Sequence, residues 1–288
     1  MAESQDRVGI GWRPEIAAAL ARRLDDIDVV EVIAESFMDR RGDAALRALA
    51  AEVPVVLHGV SLGLASAHPV DEQRLARLAH LVEAARLPIW SEHLAFVRAG
   101  GIEIGHLAAP PRTETTIEGA LRNLARARAI VGTSPMLENI ATLIDPPAST
   151  MDECAWIGGI AAHADVTLLL DLHNLYANAM NFGADPHAML RAMPLDRVRM
   201  VHLSGGVWID GSGRQERLLD DHLHDVPTPV YELLEALAAR VAHPLDVIIE
   251  RDGRYPPIED LLAQVRLARV ALSRGRAGTA TTEERLAA

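Results

Sequence analysis

Residues that can bind a metal ion or move a proton recur along this chain, each at the end of a short apolar run. The series comprises Glu35, His58, Glu92, His93, Glu138, Asn139, Asp171, His173, Asn174, His202, Glu250 and Asp252. Imidazole and carboxylate groups are ligands of iron, manganese, zinc and magnesium. Burying so many of them together would be costly unless they were paired or held cations, so the sequence predicts a metal site.

A further set of candidate ligands lies in the sequence DDHLHD at 220–225. Asp220, His222 and His224 alternate there, so in an extended chain their side chains would point the same way and could hold one ion. The carboxylates and imidazoles together exceed what a single ion uses. Two or three ions bridged by carboxylates are therefore expected.

The composition excludes several other chemistries. The 288 residues include a single cysteine, Cys154, so a four-cysteine zinc site or an iron–sulfur centre cannot form. All 28 basic residues are arginine, which excludes Schiff-base lysines and the phosphate-loop lysine. The formal charge of -12 argues against a nucleic-acid partner.

No apolar stretch reaches the ~18 residues of a membrane span and no signal peptide is visible, so a cytoplasmic protein is expected.

Eight short apolar runs alternate with segments of helical period. The runs are 8–12, 29–33, 54–58, 88–94, 135–139, 166–172, 198–204 and 246–251. Strands that are apolar on both faces and separated by helices indicate a parallel sheet, and eight such units predict a single α/β domain, a (β/α)8 TIM barrel. We expect this catalytic domain to span residues 1–272, followed by a flexible tail at 273–288. The barrel would gather the strand-end residues, and the long connections 97–112 and 205–227, at one mouth.

The motifs on these strands form an ordered set over residues 8–270. They are GIGWRPE, AESFM, LHGVSLGLAS, SEHLAF, MLENI, LLLDLHNLY, VHLSGG, DDHLHDVPTPV and IIERDG. In this set the chain resembles the multinuclear non-heme iron-dependent oxidative enzymes of the methanobactin-biosynthesis type. The resemblance implies a barrel similar to sugar isomerases and barrel-type endonucleases, holding two or three iron ions of mixed Fe2+ and Fe3+ state. It also implies O2-dependent modification of a ribosomally synthesised precursor peptide, usually at cysteine, often with a separate peptide-recruiting partner protein.

Carried over position by position, the resemblance assigns site residues. It implies that irons are held by His58, His93, Glu138, Asp171, His202 and Glu250, and a further iron by Asn174, Asp220 and His222. His224 would lie beside that further iron, and catalytic roles fall to Asp171, His224 and Glu35.

The chain departs from the family pattern at three places: His173 stands where many members have asparagine, and HLSGG and ENIATL differ from the usual motifs. The product therefore stays open among oxazolone with thioamide formation, carbon excision, thiazole-like cyclisation and backbone cleavage, and the modified residue need not be cysteine. Two other functions are weighed against this one. The first is a zinc, manganese or magnesium hydrolase or isomerase acting on a sugar or phosphoester, and the second is an inactive barrel that binds peptides.

Overall fold

The computed structural model describes residues 5–38, 42–87, 89–99, 102–210 and 216–287, with the backbone alone at 99 and 279–287. Its strands are β1 (Arg7–Trp12), β2 (Val30–Ile33), β3 (Val55–Gly59), β4 (Trp90–His93), β5 (Phe96–Ala99), β6 (Ile102–Ala108), β7 (Met136–Glu138), β8 (Leu168–Asp171), β9 (Val198–Leu203), β10 (Val207–Asp210), β11 (Glu216–Leu219) and β12 (Asp246–Ile249). Eight of them close a parallel barrel in the order β1-β12-β9-β8-β7-β4-β3-β2. The predicted (β/α)8 barrel is confirmed, with a strand at each of the eight apolar runs.

Helices follow the barrel strands and cover the sheet. They are α1 (Pro14–Leu20), α2 (Gly42–Glu52), α3 (Glu72–Ala85), α4 (Glu114–Val131), α5 (Glu153–Ala164), α6 (Leu172–Phe182), α7 (Pro186–Ala192), α8 (Thr228–Ala238) and α9 (Ile258–Ala287). Polar N-cap residues define where several helices begin. Asp71 accepts from the backbone amides of Gln73 and Arg74 at the start of α3, and Thr113 forms a capping box with Thr116 at the start of α4. None of the described helices is both long and apolar enough to cross a membrane.

The barrel interior is built in two layers. Its floor is a separate cluster of buried apolar side chains: Val29, Val56, Met136, Leu169, Met200 and Ile248. Two residues after each of these, on the same face of its strand, comes a buried polar residue: Glu31, His58, Glu138, Asp171, His202 and Glu250. Alternation along six strands therefore places a polar layer directly above an apolar floor.

The two long connections predicted after strands contain antiparallel hairpins. β5, which begins one residue before the connection 97–112, pairs with β6, and β10 pairs with β11 inside 205–227. Residues 100–101 and 211–215 lie outside the described residues. Residues of β6 and β11 line the cavity at the mouth, so both connections lie on the predicted face.

The predicted domain boundary at residue 272 falls inside α9. The first residues beyond it pack on the barrel, because the Arg276 guanidinium donates to Asp6 (Nη2 to Oδ1, 2.6 Å) and to the carbonyl of His243 (2.9 Å). Gly275 is also buried. The sequence shows no apolar periodicity here because these contacts are made by an arginine and a glycine. The flexibility expected of the remaining tail stays a prediction.

Candidate metal centre

In the part of the chain that the structure describes, three groups of ligand atoms meet at the carboxyl ends of the strands. We name them by position: group one is His58, His93 and Glu138; group two is Glu138, Asp171, His202 and Glu250; group three is His222, Glu250 and Asp252. Within each group the candidate ligand atoms all lie within 4.8 Å of one another. Glu138 belongs to groups one and two, and Glu250 to groups two and three, so the three groups form one continuous cluster.

Group one draws on three neighbouring strands. His58 Nε2 lies 3.4 Å from Glu138 Oε2, and His93 Nε2 lies 3.3 Å from the same oxygen. The other ring nitrogen of His58, Nδ1, lies 2.9 Å from Ser91 Oγ, whose hydroxyl donates to the Leu57 carbonyl. With a cation at Nε2, the ring proton would lie on Nδ1 and Ser91 would accept it.

Group two lies at the middle of the cluster. His202 Nδ1 is 3.3 Å from Glu138 Oε1 and 3.0 Å from Glu250 Oε2. Asp171 is both the last residue of β8 and the N-cap of α6; its Oδ1 accepts from the Asn174 amide at 2.7 Å. Capping thus uses one oxygen of Asp171 and leaves Oδ2 for a ligand.

Group three is formed by the loop after β11 and the end of β12. His222 Nδ1 lies 3.4 Å from Glu250 Oε2 and 3.1 Å from Asp252 Oδ2. Arg13 reaches the same carboxylates, with Nη2 2.8 Å from Glu250 Oε1 and Nε 2.7 Å from Asp252 Oδ1. Arg13 therefore contributes one permanent positive charge to a cluster rich in carboxylates.

Buried acceptor atoms at the centre lack hydrogen-bond partners among the described residues. They include Glu138 Oε2, Asp171 Oδ2, Asn174 Oδ1 and His202 Nδ1. An unpartnered buried polar atom costs about 1 to 3 kcal/mol, and lone pairs that converge without a donor are satisfied by a cation. The side chains present therefore fit bound metal ions.

The pKa shifts in the metal-free centre also indicate that its carboxylates need positive charge nearby. Burial alone would lower the pKa of His93, but the carboxylates of Glu138 and Glu92 raise it to about 9. Burial, together with Asp220 and Glu138, raises the pKa of Asp171 well above its usual range. Without cations, the centre must hold extra protons to balance its carboxylates.

The DDHLHD segment does not present its three candidate ligands in one direction, as an extended chain would. Asp220 Oδ2 and His222 Nε2 meet at 2.9 Å, but His222 has a left-handed backbone (φ 53°), which turns the chain. His224 consequently faces Asp221 Oδ1 at 3.0 Å. Asp220 and His222 face the centre, whereas His224 lies outside the three groups, and its predicted catalytic role stays a prediction.

The other assigned residues are placed as follows. Asn174 lines the mouth of the barrel, and its side-chain Nδ2 donates to the Asn139 carbonyl. Its Oδ1 has no hydrogen-bond partner among the described residues, so Asn174 fits the ligand role that the resemblance implies. Glu35 accepts from the amide of Val60 at 3.1 Å and belongs to none of the three groups among the described residues. Its assignment as a catalytic residue remains a prediction.

Two residues of the centre, Arg13 and Glu31, are not among the candidates that the sequence predicts, whereas Asp252 belongs to the predicted series of strand-end residues. Glu31 Oε2 lies 2.7 Å from His202 Nε2, with both side chains fully buried. A signal was available for Glu31, because an acidic residue in the middle of VVEVI interrupts a strand that is otherwise apolar on both faces.

A cavity of about 770 Å³ opens above the centre. The end of the cavity nearest the ligand groups is lined by His58, His93, His222 and Glu250. Apolar residues of the loop after β7 form much of one wall: Ile140, Leu143, Ile144, Pro146 and Pro147. Asn178 on α6 holds this loop, since it donates to the Ile140 carbonyl (2.9 Å) and accepts from the Thr142 amide (2.8 Å). Asn181, one turn further on, donates to the Leu218 carbonyl and accepts from the Leu218 amide in β11.

A polar centre at the carboxyl ends of a (β/α)8 barrel is where enzymes of this fold place their active sites. Solved structures with the same architecture include a xylose isomerase domain protein from Planctomyces limnophilus (TM-score 0.61, 16% identity, covering 96% of this chain and 100% of that one). Endonuclease IV from Thermus thermophilus is also similar (TM-score 0.57, 21% identity, 93% and 99% covered). These likenesses define the class of fold: a TIM barrel.

The family is defined by sequence. The family model described as "RiPP precursor modification enzyme MbnB/TglH/ChrH" matches residues 7–273, and the chain belongs to this family. A UPF0276 protein of Streptomyces avermitilis is 40% identical over 279 residues, covering 94% of this chain and 55% of that protein. A UPF0276 protein of Caulobacter vibrioides is 36% identical over 278 residues, covering 95% and 97%. The chain thus spans about half the length of the first relative and nearly all of the second.

Proposed function

We propose that this chain uses two or three iron ions and O2 to oxidise a ribosomally synthesised precursor peptide, with cysteine as the modified residue. The observation that carries the proposal is the continuous cluster of three ligand groups that share Glu138 and Glu250. Shared carboxylates bring neighbouring cations close together, as multinuclear sites require. Family membership supports a peptide as the substrate, and the imidazole and carboxylate donors suit iron.

The chain's own residues would hold the metal ions and keep water away from them. Groups one and two would hold two ions, and His222 with Glu250, Asp252, Asp220 and Asn174 offers donors for a third. Bound irons would supply redox chemistry toward O2 and Lewis acidity toward a substrate thiolate. The apolar wall from the loop after β7 would bind the peptide and exclude water from the centre.

The protein's own thiol is not available for this chemistry. Cys154 is buried in α5, and burial raises the pKa of its thiol to about 12. A reactive cysteine needs a lowered pKa and an exposed position, so the thiol to be oxidised would come from the peptide. We further propose that a separate partner protein recruits that peptide, and that the reaction takes place in the cytoplasm.

The proposal is tested by the metal content per chain and by oxygen uptake. Protein purified with iron supplementation and without chelator is expected to hold two to three irons by elemental mass spectrometry. Oxygen consumption should then require the cognate precursor peptide. Asp171→Asn and His58→Ala should lose iron, whereas Cys154→Ala should keep it. Zinc or manganese that persists after anaerobic iron loading would overturn the proposal in favour of a hydrolase or isomerase.

A further inference from the structure

Glu31 differs from the other members of the polar layer above the barrel floor. The other five, on β3, β7, β8, β9 and β12 or at their ends, all belong to one of the ligand groups. Glu31, on β2, belongs to none of them among the described residues, although it is fully buried. Its partner is instead a ligand, since Glu31 Oε2 lies 2.7 Å from His202 Nε2.

Both nitrogens of the His202 ring face carboxylates, but only those at Nδ1 belong to a ligand group. Nε2 faces Glu31, while Nδ1 faces Glu138 Oε1 at 3.3 Å and Glu250 Oε2 at 3.0 Å, within group two. A neutral imidazole carries one N–H and one lone pair, and a carboxylate can only accept. A cation in group two would take the lone pair of Nδ1, and the single N–H of the ring would then lie on Nε2, where Glu31 accepts it.

We propose that Glu31 is a positioning residue that fixes the tautomer and orientation of His202, so that Nδ1 binds the ion of group two. This inference rests on the proposed metal centre. A ligand imidazole whose second nitrogen donates to a carboxylate is held in place and becomes a more basic ligand. His58 would be held in the opposite sense, because Ser91 would accept from its Nδ1 and leave Nε2 for group one.

Stability alone gives no reason for a carboxylate at this position. Burying an ionised carboxylate is expensive, and the second oxygen of Glu31 has no hydrogen-bond partner among the described residues. An apolar residue would extend the floor at lower cost. The retained charge is accounted for by its action on His202.

The test uses the full chain, metal-free and then titrated with Zn²⁺, with 15N-labelled histidine. Long-range 1H–15N spectra of the zinc-loaded protein should show a His202 signal with the proton on Nε2 and zinc on Nδ1. His202→Gln identifies that signal. In Glu31→Gln the amide oxygen can still accept from Nε2, so the tautomer should persist while zinc binding to one site weakens about 10-fold. In Glu31→Leu the protected Nε2 proton should be lost and the weakening should approach about 100-fold.

Ser91→Ala is the matched control, because it removes the equivalent hydrogen bond from His58 and should leave the His202 signal unchanged. Circular dichroism establishes that each variant is folded, and Glu31→Gln tests the inference if Glu31→Leu does not fold. Zinc bound to His202 through Nε2, or wild-type zinc affinity in both Glu31 variants, would overturn this inference alone. A wild-type chain that binds neither zinc nor iron would overturn the proposed metal centre, and the inference with it.

Discussion

Arg13 binds Glu250 through one carboxylate oxygen only. Arg13 Nη2 lies 2.8 Å from Oε1, while Oε2 faces His202 Nδ1 at 3.0 Å and His222 Nδ1 at 3.4 Å. The guanidinium therefore orients the carboxylate that groups two and three share. It also stabilises that carboxylate as an anion, since His202, His222 and Arg13 outweigh burial and hold the pKa of Glu250 well below its usual range.

Replacing Arg13 should destabilise the metal-free protein more than the loaded one. Arg13→Met removes the guanidinium from the buried Glu250 carboxylate and leaves it only His202 and His222, and removing one member of a buried ion pair costs about 3 to 5 kcal/mol. Bound cations would offset part of that loss. Urea unfolding with and without metal measures the loss of unfolding free energy in each state. Equal losses in the two states would contradict the idea that bound cations replace the charge of Arg13 at Glu250.

Glu138 and Asp252 should differ in how many ions depend on them. Glu138→Gln removes a carboxylate from groups one and two, so up to two ions per chain should be lost. Asp252→Asn affects group three alone and should lose at most one. Elemental mass spectrometry after anaerobic loading measures the difference. Glu103→Gln, at the cavity wall but in none of the groups, is the control. Equal losses in the first two variants would argue against shared ligation.

Stability should depend on pH differently in the metal-free and the metal-loaded protein. The pKa of His93, about 9 in the folded metal-free protein, lies above the ~6.5 of an unfolded chain. Its charged form therefore contributes stability that is complete below about pH 6.5 and is lost as the pH rises through about 9. The loaded protein should gain stability only up to about pH 7, where the imidazoles of the unfolded chain lose their protons, and should then stay level to pH 9, because ligand imidazoles are already neutral. Thermal melts from pH 6 to 9 test this, and parallel profiles would refute it.

The Asn178 side chain should control the loop that forms the apolar wall. Asn178→Ala removes the partners of the Ile140 carbonyl and the Thr142 amide, at a cost of about 1 to 3 kcal/mol. Hydrogen exchange at Thr142 should accelerate, and peptide binding should weaken. Asp71→Ala, which removes the α3 cap at a cost of about 1 kcal/mol, should lower stability without either effect. An unchanged exchange rate at Thr142 in Asn178→Ala would disprove the role of this side chain.

The fold and most of the centre follow from local sequence. Apolar runs set the strands, and polar residues at their ends meet at the barrel mouth, so His58, Glu138 and His202 could be expected to converge. The contact between Glu31 and His202 joins residues 171 positions apart, and it depends on the register and inward face of two strands. The direction of His224 depends on the left-handed turn at His222, which alternation along the chain does not reveal.

The apolar floor below the polar layer has a consequence for the order of assembly. Its six side chains are at most 7% exposed, so among the described residues the lower end of the barrel offers no polar route to the centre. Under the proposed function, ions and peptide would share the opening at the top of the barrel. A docked peptide would then cover that opening, so ions would be loaded before the substrate and would exchange only after the product leaves.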